Sequence, residues 1–199
     1  MSLKLLPVDD VWVGRMIALA DVPWERATVE AMFVEWGLAR PGEDVGWEGG
    51  PGAPQFAVDH EGEPSGWLVE LGAAPPDPDV WVHLPCALYW PAFGAEEPGD
   101  SDDEDEYDED LPPLWARRPD ARRARFHAER DRLAALMTTR LGAPESVVTG
   151  AYDSYRAVWR RGDRALLLET TDDIHTYSHY DVLGIRLRRY DPSLTDLDT

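Results

Sequence analysis

The residues whose type and spacing could do chemistry lie in one stretch, Asp172-Asp173-Ile174-His175-Thr176-Tyr177-Ser178-His179-Tyr180-Asp181. His175 and His179 are four apart, so they share a face on a helix and on a strand alike. With Asp181 they could converge on a cation such as Zn²⁺, which takes imidazole nitrogen and carboxylate oxygen. A hydrolase built there would use the metal to activate water. The stretch lacks the HExxH arrangement that puts a glutamate base beside the first histidine. It falls between two apolar runs, so the plainer reading is a polar, aromatic, hydrogen-bonded loop.

The other reactive side chains stand alone. His60, His83 and His127 are far apart in sequence, and each reads as a surface or core-edge residue. Cys86 is the single cysteine, with no neighbouring base, and reads as a small buried hydrophobe rather than a nucleophile. One cysteine excludes an internal disulfide and fits a reducing, cytoplasmic setting. Ser65 and Ser178 are outside any GxSxG elbow, and the chain has no GxGxxG or Walker loop. No cofactor is therefore expected, and a non-enzymatic protein is favoured. Arg161-Gly162-Asp163 spells an adhesion tripeptide, but Gly-Asp between apolar runs is hairpin turn chemistry.

Charge dominates the composition. The 199 residues carry 39 acids against 19 bases, a formal net charge of −20. Eleven of the acids lie in Glu96–Asp110, EEPGDSDDEDEYDED, which contains no base. Such a run buries little and repels itself, so it is expected to be a solvated, disordered linker. Without it the chain still holds 28 acids against 19 bases. Nucleic acid and anionic membrane share this sign and are not expected as partners, whereas a basic protein would be attracted. The run lacks the EF-hand pattern. Seven arginines follow it: Arg117, Arg118, Arg122, Arg123, Arg125, Arg130 and Arg132. The acids could fold back on them through weak, salt-sensitive pairs. Asp120, Glu129 and Asp131, interspersed among these arginines, argue against a nucleic-acid patch.

These groups need elements to hold them. Asp9 or Asp10 can cap a short helix through about Ala20, with an edge strand at Val11–Val13 as the competing reading. Asp21 and Pro23 are expected to open a helix whose apolar stripe is Val29, Met32, Phe33 and Trp36, stopped at Gly37. Gln55–Asp59 and Gly66–Leu71 read as paired strands, and Val80–Leu84 as another, which Ala87–Trp90 either extends or follows after Pro85. The second main helix is expected to start near Pro119 or Asp120. Its inward residues would be Ala124, Ala128, Leu133, Leu136, Met137 and Leu141, with Gly142 as the stop. Tyr152–Arg160 and Arg164–Glu169 form a hairpin, and Asp181–Tyr190 is a last strand. The fold class is α+β, with about six strands in an antiparallel or mixed sheet and two main helices. No apolar run approaches the ~18 residues of a membrane span, and the N-terminus does not read as a signal peptide.

The organisation is a first helix-plus-strands half (1–95), the acidic linker (96–114), a second half (115–191) and a loose tail (192–199), the two halves forming one compact domain. Ala57-Val58 and Ala157-Val158 are each followed by three residues, a glycine and an acid, then by an apolar triplet ending in Glu70 or Glu169. This suggests a duplicated helix-plus-three-strand unit.

The helix–strand plan, the acidity and the Val158-Trp159-Arg160-Arg161-Gly162-Asp163 hairpin with its leucine-rich return strand resemble the small acidic α+β immunity proteins of bacterial polymorphic toxin systems. The resemblance covers residues 115–190 and, more weakly, 23–90. It implies an inhibitor that docks on a toxin domain. A nuclease toxin has a basic cleft, which an acidic protein reaches quickly and fills in place of a phosphate backbone. The expected contacts are Asp102, Asp103, Glu104, Asp105, Glu106, Asp108, Glu109 and Asp110 in the run, with Tyr177 and Tyr180 in the histidine loop. A general regulatory or interaction protein is the alternative without a toxin.

Overall fold

The computed structural model describes residues 2–42, 55–56, 70–72, 80–90, 115–150, 153–172 and 180–195. The described elements run β1 (Ser2–Leu5), α1 (Asp10–Asp21), α2 (Arg26–Glu35), β2 (Gln55–Phe56), β3 (Glu70–Leu71), β4 (Trp81–Trp90), β5 (Ala116–Pro119), α3 (Arg123–Leu141), β6 (Ser146–Thr149), β7 (Tyr155–Arg161), β8 (Arg164–Asp172) and β9 (Asp181–Arg189). A short 3-10 turn, Pro192–Thr195, follows. The class is α+β, as expected. Among the described residues one antiparallel sheet holds nine strands rather than about six, and three helices pack on it. The additional strands β1, β5 and β6 have four residues each, too short to show alternation.

Strand order is β2-β3-β4-β9-β8-β7-β6. Each half contributes a meander, and the two meet antiparallel along β4 and β9, from Trp81↔Arg188 to Tyr89↔Asp181. Three strands, β2-β3-β4, lie on one side of that seam and four, β9-β8-β7-β6, on the other. β4 has a second task. Its partner on the other edge changes midway: β3 lies against Val82 and His83, β1 against Ala87 to Trp90. The change falls at an irregularity between Pro85 and Ala87. Proline has no N–H to give a ladder and sits in a central strand only at such a break. Cys86 is the extra residue, and its carbonyl accepts from the Leu6 amide at 3.0 Å.

One face of the sheet carries the main core. Leu183, Ile185 and Leu187 of β9, Leu166 and Leu168 of β8, and Ala157 and Trp159 of β7 meet Val13, Met16 and Leu19 of α1, Phe33 of α2 and Leu133 and Met137 of α3. α1 begins as expected: the Asp9 carboxylate accepts from the amides of Val11 and Trp12, satisfying two orphan donors. α2 buries Val29 and Phe33 and half-buries Met32 and Trp36, the expected stripe.

Three local expectations are corrected. Asp21 does not cap α2. It ends α1, and its carboxylate instead takes a bidentate pair from Arg161 at 2.7 and 2.6 Å, while Glu25 caps α2 without a side-chain bond. α3 does not begin at Pro119 or Asp120. Pro119 closes β5, and Asp120 turns the chain at φ 60°. Finally, Ala124 and Ala128 are exposed, while Phe126 is buried against Tyr89 at 5.7 Å between rings. The larger apolar surface takes the core side, and it sets the stripe as Phe126, Leu133 and Met137. The remainder of the first hairpin and the acidic run lie outside the described residues.

The opposite face is crossed at its centre by His83, whose imidazole lies over Gly184 of β9. A Cβ built on Gly184 would fall 1.9 Å from His83 Nε2. Because His83 is only 4% exposed, it has little room to yield. Replacing Gly184 with Ala should therefore cost about 1–3 kcal/mol by overpacking, read as a lower urea midpoint. In a His83→Ala background the same change should cost distinctly less; an equal loss in both would show that the imidazole is not what excludes a side chain there.

Candidate functional site

Of the residues nominated from sequence, Asp181 and Tyr180 are described, and the structure places them on different faces. Asp181 opens β9 on the helix side. Its Oδ2 is 2.7 Å from Nη2 of Arg123, in the first turn of α3. Nη1 of the same guanidinium is 3.3 Å from Asp153, and His127 Nε2 lies 3.6 Å from that carboxylate. The Arg123 plane rests over the Tyr89 ring at 5.0 Å. One arginine thus spans two acids, a fork geometry suited to carboxylates. Asp181, expected as a metal ligand, is committed to that fork. Among the described residues no group of three or more His, Cys, Asp or Glu side chains is placed to hold a metal ion.

Tyr180, expected at a partner surface, is buried at 6% exposure, with its ring 4.9 Å from that of Trp90. Lys4 lies over the other partner of that stack, 4.7 Å from the Trp90 ring. Aromatic stacking plus a cation over the indole favours burial over exposure. His175, Tyr177, His179 and the acids 102–110 lie outside the described residues.

A second cluster was not visible in sequence. Glu169 of β8 is 3% exposed on the face opposite the helices. Arg156 of β7 donates to Oε2 from Nε at 3.1 Å, and Arg186 of β9 brings its Nε to 3.2 Å from Oε1. Arg186 also lies over Trp81 at 5.3 Å, and Trp81 meets His83 edge-on at 6.4 Å. Glu169 pairs in register with both Arg156 and Gly184, so three strands assemble the group. The available signal was an acid closing a run of three leucines, one strand away from an arginine.

The third cluster is a cap. Arg164 begins β8 and is largely buried. Its Nη1 donates to the carbonyls of Leu19 at 3.1 Å, Ala20 at 3.0 Å and Val22, the orphan acceptors at the end of α1. Trp24 lies under it at 4.9 Å. Burial pulls its pKa below the ordinary arginine value, with Asp163 and Asp21 opposing. An open cleft lined by Asp21, Pro23, Arg160, Arg161 and Asp163 surrounds this cap.

Cys86 is fully buried, with its thiol donating to the Leu84 carbonyl at 3.2 Å, and burial pushes its pKa strongly up. The thiolate, which is the nucleophile, is accordingly disfavoured.

Charge is distributed unevenly. The described segments hold all 19 basic residues and 17 of the 39 acids; the other 22 acids fall outside them. The described residues alone therefore sum to +2, whereas the chain without the central run sums to −9. No family model, curated protein or solved structure matches the chain.

Two measurements follow from these environments. Glu169→Gln leaves two arginines facing a neutral amide and should lower stability by roughly 2–4 kcal/mol in chemical denaturation, since breaking a buried pair strands the remaining charge. In an Arg186→Met background the loss should shrink, because one stranded cation is gone. Cys86 should resist iodoacetamide in the native state and react promptly in denaturant; mass spectrometry showing fast native alkylation would contradict the assigned burial.

Proposed function

We propose that the protein is a non-enzymatic binding module whose acidic segments engage a basic protein partner, in the manner of an immunity protein that inhibits a basic toxin domain. The observation that carries this reading is the charge of the chain: 39 acids against 19 bases, with eleven of the acids and no base in residues 96–110. A surface of that sign attracts a basic one. Like-signed polymers such as nucleic acid are disfavoured at a net −20. The single, buried, free Cys86 suits a reducing compartment such as the cytoplasm.

The frame supports such a role through rigidity. Arg164, Arg161 and Arg123 tie helices to strands with guanidinium contacts. Attraction of this kind raises the association rate more than it deepens the final affinity.

The test is capture of partners on the full chain at low and at moderate salt, then association kinetics with the captured protein. A single stoichiometric basic partner is expected, with an on-rate that falls roughly tenfold between ~20 and ~200 mM salt and also on replacement of residues 96–110 by a Gly/Ser segment of equal length. An on-rate unchanged by both would overturn the electrostatic reading.

A further inference from the structure

We propose that the surface formed by β5 and the first turn of α3 is a docking site for the chain's own acidic run, Glu96–Asp110. The seven arginines that follow the run are not equivalent in the folded protein. Arg123 is held by Asp153 and Asp181. Arg130 pairs with Asp131 and lies over Tyr155 at 4.8 Å. Arg132 pairs with Glu129 and donates to the Val8 carbonyl at 2.8 Å. Arg118, Arg122 and Arg125 are exposed and make no ion pair among the described residues. Asp120 is the single acid among them, and it sits at the turn between the two elements.

The backbone adds to this field. α3 has 19 residues, no acid in its first turn and no side-chain bond at its N-cap, Arg122, so the positive end of its dipole adds to the guanidinium charges. Among the described residues β5 is paired on one edge only, to β1, and all four of its residues are exposed. An extended anionic segment suits that edge, where backbone pairing and arginine contacts act together.

The occupant is identified by charge and connection. The run holds eleven acids and no base, and Asp110 stands six residues before Ala116, roughly 20 Å of extended chain. A tether this short puts the acids at a high effective concentration over the arginines, so individually weak exposed pairs act collectively. The contact needs no other protein and stands whether or not a basic partner exists. Where one does, it must displace the arginines from the run, so the two interactions compete.

The experiment uses the full chain with the acids of 96–110 replaced by Asn and Gln, and a synthetic peptide of the native run as probe. The peptide should bind the neutralised chain one to one, weaken roughly tenfold or more between ~20 and ~200 mM salt, and bind at least tenfold more weakly when Arg118, Arg122 and Arg125 are all Ala. Arg→Lys at the three positions should retain most of the binding, which separates loss of charge from loss of fold. Hydrogen exchange of β5 and the first turn of α3 should be slower in the native chain than in the neutralised one at every protein concentration. Peptide binding indifferent to the Ala replacements, or equal exchange in the two chains, would overturn the proposal. Protection that disappears on dilution would also overturn it, by assigning the run of a second copy.

Discussion

Everything in the fold hangs on the pairing of β4 with β9. β3 and β1 attach to β4, with β2 and β5 beyond them, while β8, β7 and β6 attach in turn to β9. No other strand pair joins the two groups among the described residues. The seam is close-fitting on both faces. Leu84 and Ile185 meet on the helix side, and on the other side His83 occupies the space where any residue larger than glycine at 184 would put its Cβ. A one-residue slip would exchange these faces, placing Arg186 against the helices and Ile185 on the charged side, at a cost in desolvation that fixes the register.

Around that seam arginine performs work usually left to apolar residues. Arg164 satisfies the last carbonyls of α1, Arg161 anchors Asp21, Arg156 and Arg186 neutralise a buried glutamate, and five further cations lie over aromatic rings. A planar guanidinium can stack and donate at once, which an ammonium does less well. Many of the bases are thereby engaged within the described elements, while Arg118, Arg122 and Arg125 stay exposed.

Much of the architecture was legible from local pattern. The helical stripe of Val29 and Phe33, the Gly162-Asp163 turn with Gly162 at φ 64°, and the alternation of Leu183, Ile185 and Leu187 each declare themselves within one segment. The short strands did not, because Ala116–Pro119 and Ser146–Thr149 are strands only by virtue of neighbours supplied by other parts of the chain. Ala-Arg-Arg-Pro reads locally as the approach to a helix. The sites were less legible still. Glu169 meets Arg156 and Arg186 by cross-strand register, and Asp181 meets Arg123 through the packing of a helix on a sheet, neither of which is written in spacing along one segment. The histidine pair attracted notice because its spacing is local, yet Asp181, the described member of that trio, is engaged elsewhere.

The break at Pro85 and Cys86 lets a single strand edge serve two partners, and this sets an order in time. Ser2–Leu5 is made long before its neighbours, Ala87–Trp90 on one side and Ala116–Pro119 on the other. β1 must wait unpaired until both have emerged. Closing so long a loop carries an entropic cost that local hairpins avoid, so the corner holding β1 is a late arrival in assembly, while the β7–β8 hairpin, joined by two residues, can form at once.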